Sequence, residues 1–137
     1  MRFVFADTQW WVATANPADA YARLAAGMTR TLSDATLVTT DEVIVEALGS
    51  LCGKGEFQRR RASRLMRTLL ASPRVRVLPQ SRETLLRGLD LFDDRPDKGY
   101  SLVDCISMEA MKELKIAEVL TADRHFEQEG FVALMRP

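Results

Sequence analysis

Arg2-Phe3-Val4-Phe5-Ala6 is followed at once by Asp7-Thr8 and then by Trp10-Trp11-Val12-Ala13: an apolar run, a carboxylate, and a second apolar stretch. The first run reads as a buried strand and the second as a short helix, so the chain opens as the start of an alternating strand–helix fold. The pattern repeats downstream. Residues 36–39 (Thr36-Leu37-Val38-Thr39) read as a second strand, with Thr40 or Asp41 capping a helix that turns Val43, Ile44, Ala47, Leu48 and Leu51 inward and carries Glu46. Residues 75–78 and 118–121 read as further strands and 131–134 as a last short one.

Between the strands the helix signals are equally local. Asn16-Pro17 predicts a helix start, with Ala20, Tyr21, Leu24, Ala25 and Met28 as its apolar stripe. Residues 56–71 predict a long helix burying Phe57, Ala62, Leu65, Met66, Leu69 and Leu70, closed by Pro73. Residues 81–92 predict another, burying Leu85, Leu86, Leu89 and Phe92. After the turn-rich stretch 95–100, Ser101 caps a helix with Asp104 three residues on, close to a capping box. Strands alternating with helices predict a three-layer α/β/α sandwich with a mostly parallel central sheet and right-handed crossovers.

Composition limits the alternatives. A chain of 137 residues, 47% of them hydrophobic, suffices for one domain with a real core over 1–137. Its apolar runs fall far short of the roughly 20 residues of a membrane span. The start at Met1 lacks the long apolar region of a signal peptide, so a soluble, cytoplasmic protein with no membrane partner is expected. Cys52 and Cys105 have no metal-binding spacing and read as reduced core residues. The net charge of zero hides a segregation. Lys54, Arg59, Arg60, Arg61, Arg64, Arg67, Arg74 and Arg76 face the single acid Glu56 in their window, whereas Asp90, Asp93, Asp94 and Asp97 crowd ahead of Asp104.

Asp7, Glu46, Asp104 and Asp123 each fall at the edge of an apolar run. In an open α/β sheet such positions converge on the crevice beyond the strand ends, the usual ligand site. Two carboxylates about 4 Å apart repel by roughly 4 kcal/mol at a near-surface dielectric. Four of them must protonate or take a cation, and a divalent ion with oxygen ligands answers that need. Such ions can drive phosphodiester hydrolysis without a histidine base. The single histidine, His125, accordingly reads as a packing or loop residue. No serine sits in a nucleophile elbow, and Gly49, Gly53 and Gly55 match no phosphate-binding loop.

Asp7-Thr8 after a first strand, Thr39-Thr40 with Glu46 downstream, Ser101-Leu102-Val103-Asp104, and above all Leu120-Thr121-Ala122-Asp123-Arg124-His125-Phe126 resemble the PIN domain family over nearly the whole chain. The loop 97–102 and the ending 126–131 most resemble compact VapC-type toxins of toxin–antitoxin pairs. The resemblance implies a Mg2+- or Mn2+-dependent endoribonuclease with Asp7, Glu46, Asp104 and Asp123 as catalytic and metal-binding acids. It also implies Thr8, Gln9, Ser101 and Thr121 around them, an RNA substrate, a cognate antitoxin and a homodimer. Gln9 departs from the small hydroxyl residue that many relatives carry there, and its amide is expected to bond a metal-bound water. Lys54, Arg59, Arg60, Arg64 and Arg67 are candidate RNA contacts, with a solvated face or a seat for an acidic partner as the alternative. Of Trp10 and Trp11, one is expected in the core and the other against a partner chain or base.

Two other functions compete. A phosphotransfer or phosphatase domain also places an Asp after its first strand, but the dehalogenase pattern wants a second Asp where Gln9 stands. A PIN-like scaffold would keep the acids for binding a partner or a metal without catalysis.

Overall fold

The computed structural model of the chain describes residues 1–136. Along them run β1 (Arg2–Ala6), α1 (Thr8–Ala15), α2 (Ala22–Gly27), β2 (Ala35–Thr40), α3 (Asp41–Leu51), α4 (Glu56–Ala71), β3 (Val75–Leu78), α5 (Arg82–Asp94), α6 (Leu102–Leu114), β4 (Glu118–Leu120), α7 (Arg124–Gln128) and β5 (Val132–Ala133). The strands form one sheet in the order β3-β2-β1-β4-β5, with every pairing parallel. β1 is central: Phe5 lies opposite Val38 of β2 on one side and Val119 of β4 on the other. Val4, Phe5 and Ala6 are fully buried, as a strand covered by helices on both faces requires.

The windings from β1 through β3 step one way and those from β3 through β5 the other, so β1 and β4 flank the point of reversal. Right-handed crossovers then set α1 to α4 on one face and α5 to α7 on the other. Trp10 and Trp11 are both buried, which corrects the expectation that one would stay free. The Trp11 indole N–H donates to Thr39 Oγ1 at 3.2 Å, and Thr39 Oγ1 donates to the Ala6 carbonyl at 2.9 Å. This buried chain of bonds locks α1 to the ends of β1 and β2.

Four local expectations change. Asn16 does not cap a helix after Pro17: its Oδ1 accepts from the Ala18 N–H at 3.1 Å, and Asp19 Oδ2 accepts from the Tyr21 N–H at 2.9 Å. These two side-chain-to-backbone turns compete with helix and delay α2 to Ala22. On α4, Phe57 is 76% exposed, because it lies about 140° around the helix from Ala62, which is buried with Met66. On α5, Leu86, Leu89 and Phe92 are exposed and the buried positions are Gly88 and Leu91. Gly88 decides that face: a Cβ there would stand 2.5 Å from Ile106 Cγ1, so α5 and α6 meet across the glycine. Cys52 is exposed, and only Cys105 lies in the core.

Candidate active site at the carboxyl edge of the sheet

Asp7 follows the last residue of β1, and its backbone N–H reaches the Leu120 carbonyl at the end of β4. It therefore stands where the winding reverses. Its side chain is buried; Oδ2 accepts from Thr121 Oγ1 at 3.1 Å, and Oδ1 has no hydrogen-bond partner. Burial pushes its pKa up to about 7 against the opposing N–H of Thr8, and the negative charges of Asp104 and Glu46 push the same way.

The other three acids come from helix starts or helix faces aimed at this edge. Thr40 caps α3, its Oγ1 accepting from the Val43 N–H at 3.1 Å, and Glu46 follows on that helix. Glu46 Oε1 accepts from Thr8 Oγ1 at 2.6 Å. Ser101 and Asp104 form the expected capping box, each side chain taking the other's backbone N–H at 3.0 Å. Asp104 is buried and its pKa is raised: burial comes first, opposed by the Ser101 N–H and reinforced by the charge of Asp123, with His125 pulling down. Asp123 caps α7, its Oδ1 accepting from the His125 N–H at 2.9 Å.

The four carboxylates thus share one design. Each has an oxygen tied to a hydroxyl or a backbone N–H and, among the described residues, a second oxygen with no protein hydrogen bond. No lysine or arginine of the described residues forms an ion pair with any of them. A buried anion lacking both a cation and a full set of hydrogen bonds is costly, and oxygen donors of this kind suit a hard divalent ion.

The supporting residues divide by task. Thr8, Ser101 and Thr121 bond directly to acids, and Thr121 Oγ1 also accepts from the Asp123 N–H at 3.1 Å. Gln9 instead staples the first turn of α1 to the exit of β4, its Oε1 accepting from the Ala122 N–H at 2.7 Å. His125, which the sequence alone reads as a packing or loop residue, stands beside the acids. Its Nδ1 lies 3.3 Å from Asp104 Oδ2 and 3.3 Å from Asp123 Oδ1, so it belongs to the cluster. The available signal was its spacing two residues after Asp123 at a helix start, which wraps the ring back over the cap.

The basic set stands apart. Lys54, Arg59, Arg60, Arg64 and Arg67 are exposed, and Arg59, Arg60 and Arg64 line an open groove with Glu56 and Ser63. Gln58 Nε2 donates to the Ala15 carbonyl, and Ala62 packs on Ala15 and Leu51. The start of α4 is therefore held at the far end of α1, about 12 Å along that helix from Asp7.

The sequence matches no protein-family model and no curated protein. Its fold, however, closely matches that of VapC20 from Mycobacterium tuberculosis, a sarcin-ricin loop cleaving toxin, with a TM-score of 0.84 and 25% identity over 98% of this chain and 99% of that one. The parallel five-stranded sheet and a likeness running through both chains give this protein the fold of a VapC-like PIN domain.

Proposed function

We propose that the protein is a divalent-metal-dependent endoribonuclease, a single PIN-like nuclease domain over 1–137 that serves as the cytoplasmic toxin of a toxin–antitoxin pair. The observation that carries this reading is Asp7 Oδ1, buried without a hydrogen bond among the charges of Glu46 and Asp104. That arrangement asks for a cation, and the likeness to a loop-cleaving toxin supports the nuclease and toxin parts.

Asp7, Glu46, Asp104 and Asp123 would hold Mg2+ or Mn2+. A bound ion supplies an activated water and charge stabilisation at the leaving oxygen. Thr8, Thr121 and Ser101 orient Glu46, Asp7 and Asp104, and Gln9 keeps the strand exits of β1 and β4 together. Lys54, Arg59, Arg60, Arg64 and Arg67 neutralise phosphates of RNA flanking the scissile bond or take an acidic antitoxin segment, since they lie remote from Asp7. The protein works as a homodimer.

The test is cleavage of an RNA pool by the purified protein with Mg2+ or Mn2+. Asp7→Asn and Asp104→Asn abolish it, whereas activity persisting in excess EDTA excludes the metal mechanism. Metal binding with no cleavage of any RNA moves the protein to the scaffold class. A pull-down that recovers no partner from the adjacent gene removes the toxin assignment.

A further inference from the structure

We propose that His125 is a nitrogen ligand of the metal centre, through Nδ1 alongside Asp104 and Asp123, and that the centre therefore selects a first-row transition ion such as Mn2+ over Mg2+. This rests on the reading of the acids as a metal centre.

The geometry favours ligation over a simple hydrogen-bond clamp. Nδ1 is equidistant, at 3.3 Å, from one oxygen of each carboxylate. A charge-assisted N–H···O bond is shorter, about 2.7–2.9 Å. Both oxygens already accept a backbone N–H, from Ser101 and from His125 itself. Neighbouring ligands of an ion with bonds near 2.0–2.2 Å lie about 3.0–3.4 Å apart, which is the separation observed. One ligand atom from each of Asp104, Asp123 and His125 falls within 4.8 Å of the others. Separately, Asp7 Oδ1 is buried without a hydrogen bond, and Asp7 feels the negative charge of Asp104, one of the three.

The ring is held in this pose from behind. Tyr100, buried, packs against it with centroids 5.4 Å apart, and a Cβ on Gly99 would stand 3.3 Å from Nε2. Ligation through Nδ1 leaves the proton on Nε2, on the Gly99 side. Imidazole is a poor ligand for Mg2+, which wants oxygen, and a good one for transition ions.

Because His125 is the chain's only histidine, any imidazole signal is assignable to it. The full chain is stripped of metal and titrated calorimetrically with Mn2+ and with Mg2+, and the Mn2+ form is examined by pulsed electron paramagnetic resonance. The expected result is nitrogen coupling to Mn2+ that vanishes in both His125→Ala and His125→Gln. Mn2+ affinity should fall at least the ~10-fold typical of losing even an outer partner of a metal ligand, with Mg2+ affinity much less affected. A Mn2+ spectrum without nitrogen coupling, or equal losses for both ions, overturns the proposal while leaving the acid centre intact, provided Asp104→Asn abolishes binding. Absence of Mn2+ binding, or binding indifferent to Asp104→Asn, overturns the inference and the metal-centre reading together.

Discussion

Asp7 and Glu129 are both acids with little exposed side chain, yet the fold treats them in opposite ways. Around Glu129 it gathers Arg95 Nε at 2.9 Å, Lys112 Nζ at 2.8 Å and Tyr100 OH at 3.1 Å. Burial alone would raise the Glu129 pKa, but these partners outweigh it and bring it down to about 2. Around Asp7 the fold gathers other acids and leaves one oxygen unbonded. Glu129 is a structural tie joining the loop after α5 to α6 and α7. Asp7, by contrast, is a buried acid with no cation beside it among the described residues, the pattern of a functional rather than a structural carboxylate.

The largest expected effect separates the two by function. Asp7→Asn lowers metal-dependent RNA cleavage by roughly 1,000-fold or more, the scale of losing a major transition-state charge stabiliser, while leaving the melting temperature of the metal-free chain unchanged or higher. A large drop in melting temperature would break the comparison, because it would make Asp7 a structural acid. Glu129→Gln should do the reverse: unfolding in urea shows a loss of about 3 kcal/mol, as when a buried ion pair loses one member, with the residual activity of the folded fraction near that of the wild type.

Acidity sharpens the contrast. The folded pKa of Glu129 lies below its ordinary value of 4.5, so its stabilisation is complete above that pH and is lost as pH falls toward 2. The folded pKa of Asp7 lies above its ordinary 3.8, so the metal-free fold binds this proton more tightly than the unfolded chain does, and stability falls as pH rises from about 4 to about 7. Melting curves in EDTA should show both limbs. Glu129→Gln removes the acid limb and Asp7→Asn weakens the neutral one. The smallest effect is Tyr100→Phe, which deletes one of the hydrogen bonds to Glu129 and should cost about 1 kcal/mol in the same urea assay.

Much of the fold was legible because its signals are local. The apolar run Arg2–Ala6, the Thr40 cap, the Ser101–Asp104 box and the helix Glu56–Ala71 each depend on neighbours a few residues away, and each appears where expected. The leucines of α5 misled because a contact face is chosen by the partner: Ile106 needs the bare backbone of Gly88, and no leucine offers that. His125 reads from the sequence as a packing or loop residue because a lone histidine acquires its chemistry only from what it faces.

By itself, the order of residues fixed the alternation of strands and helices and set Asp7, Glu46, Asp104 and Asp123 at element boundaries, since periodicity and capping act over one or two turns. Only the tertiary structure decided which acids are matched by cations and which are left bare. Burial and charge coupling are properties of neighbours brought in from distant parts of the chain, as Glu129 meets Arg95 and Asp7 meets Asp104.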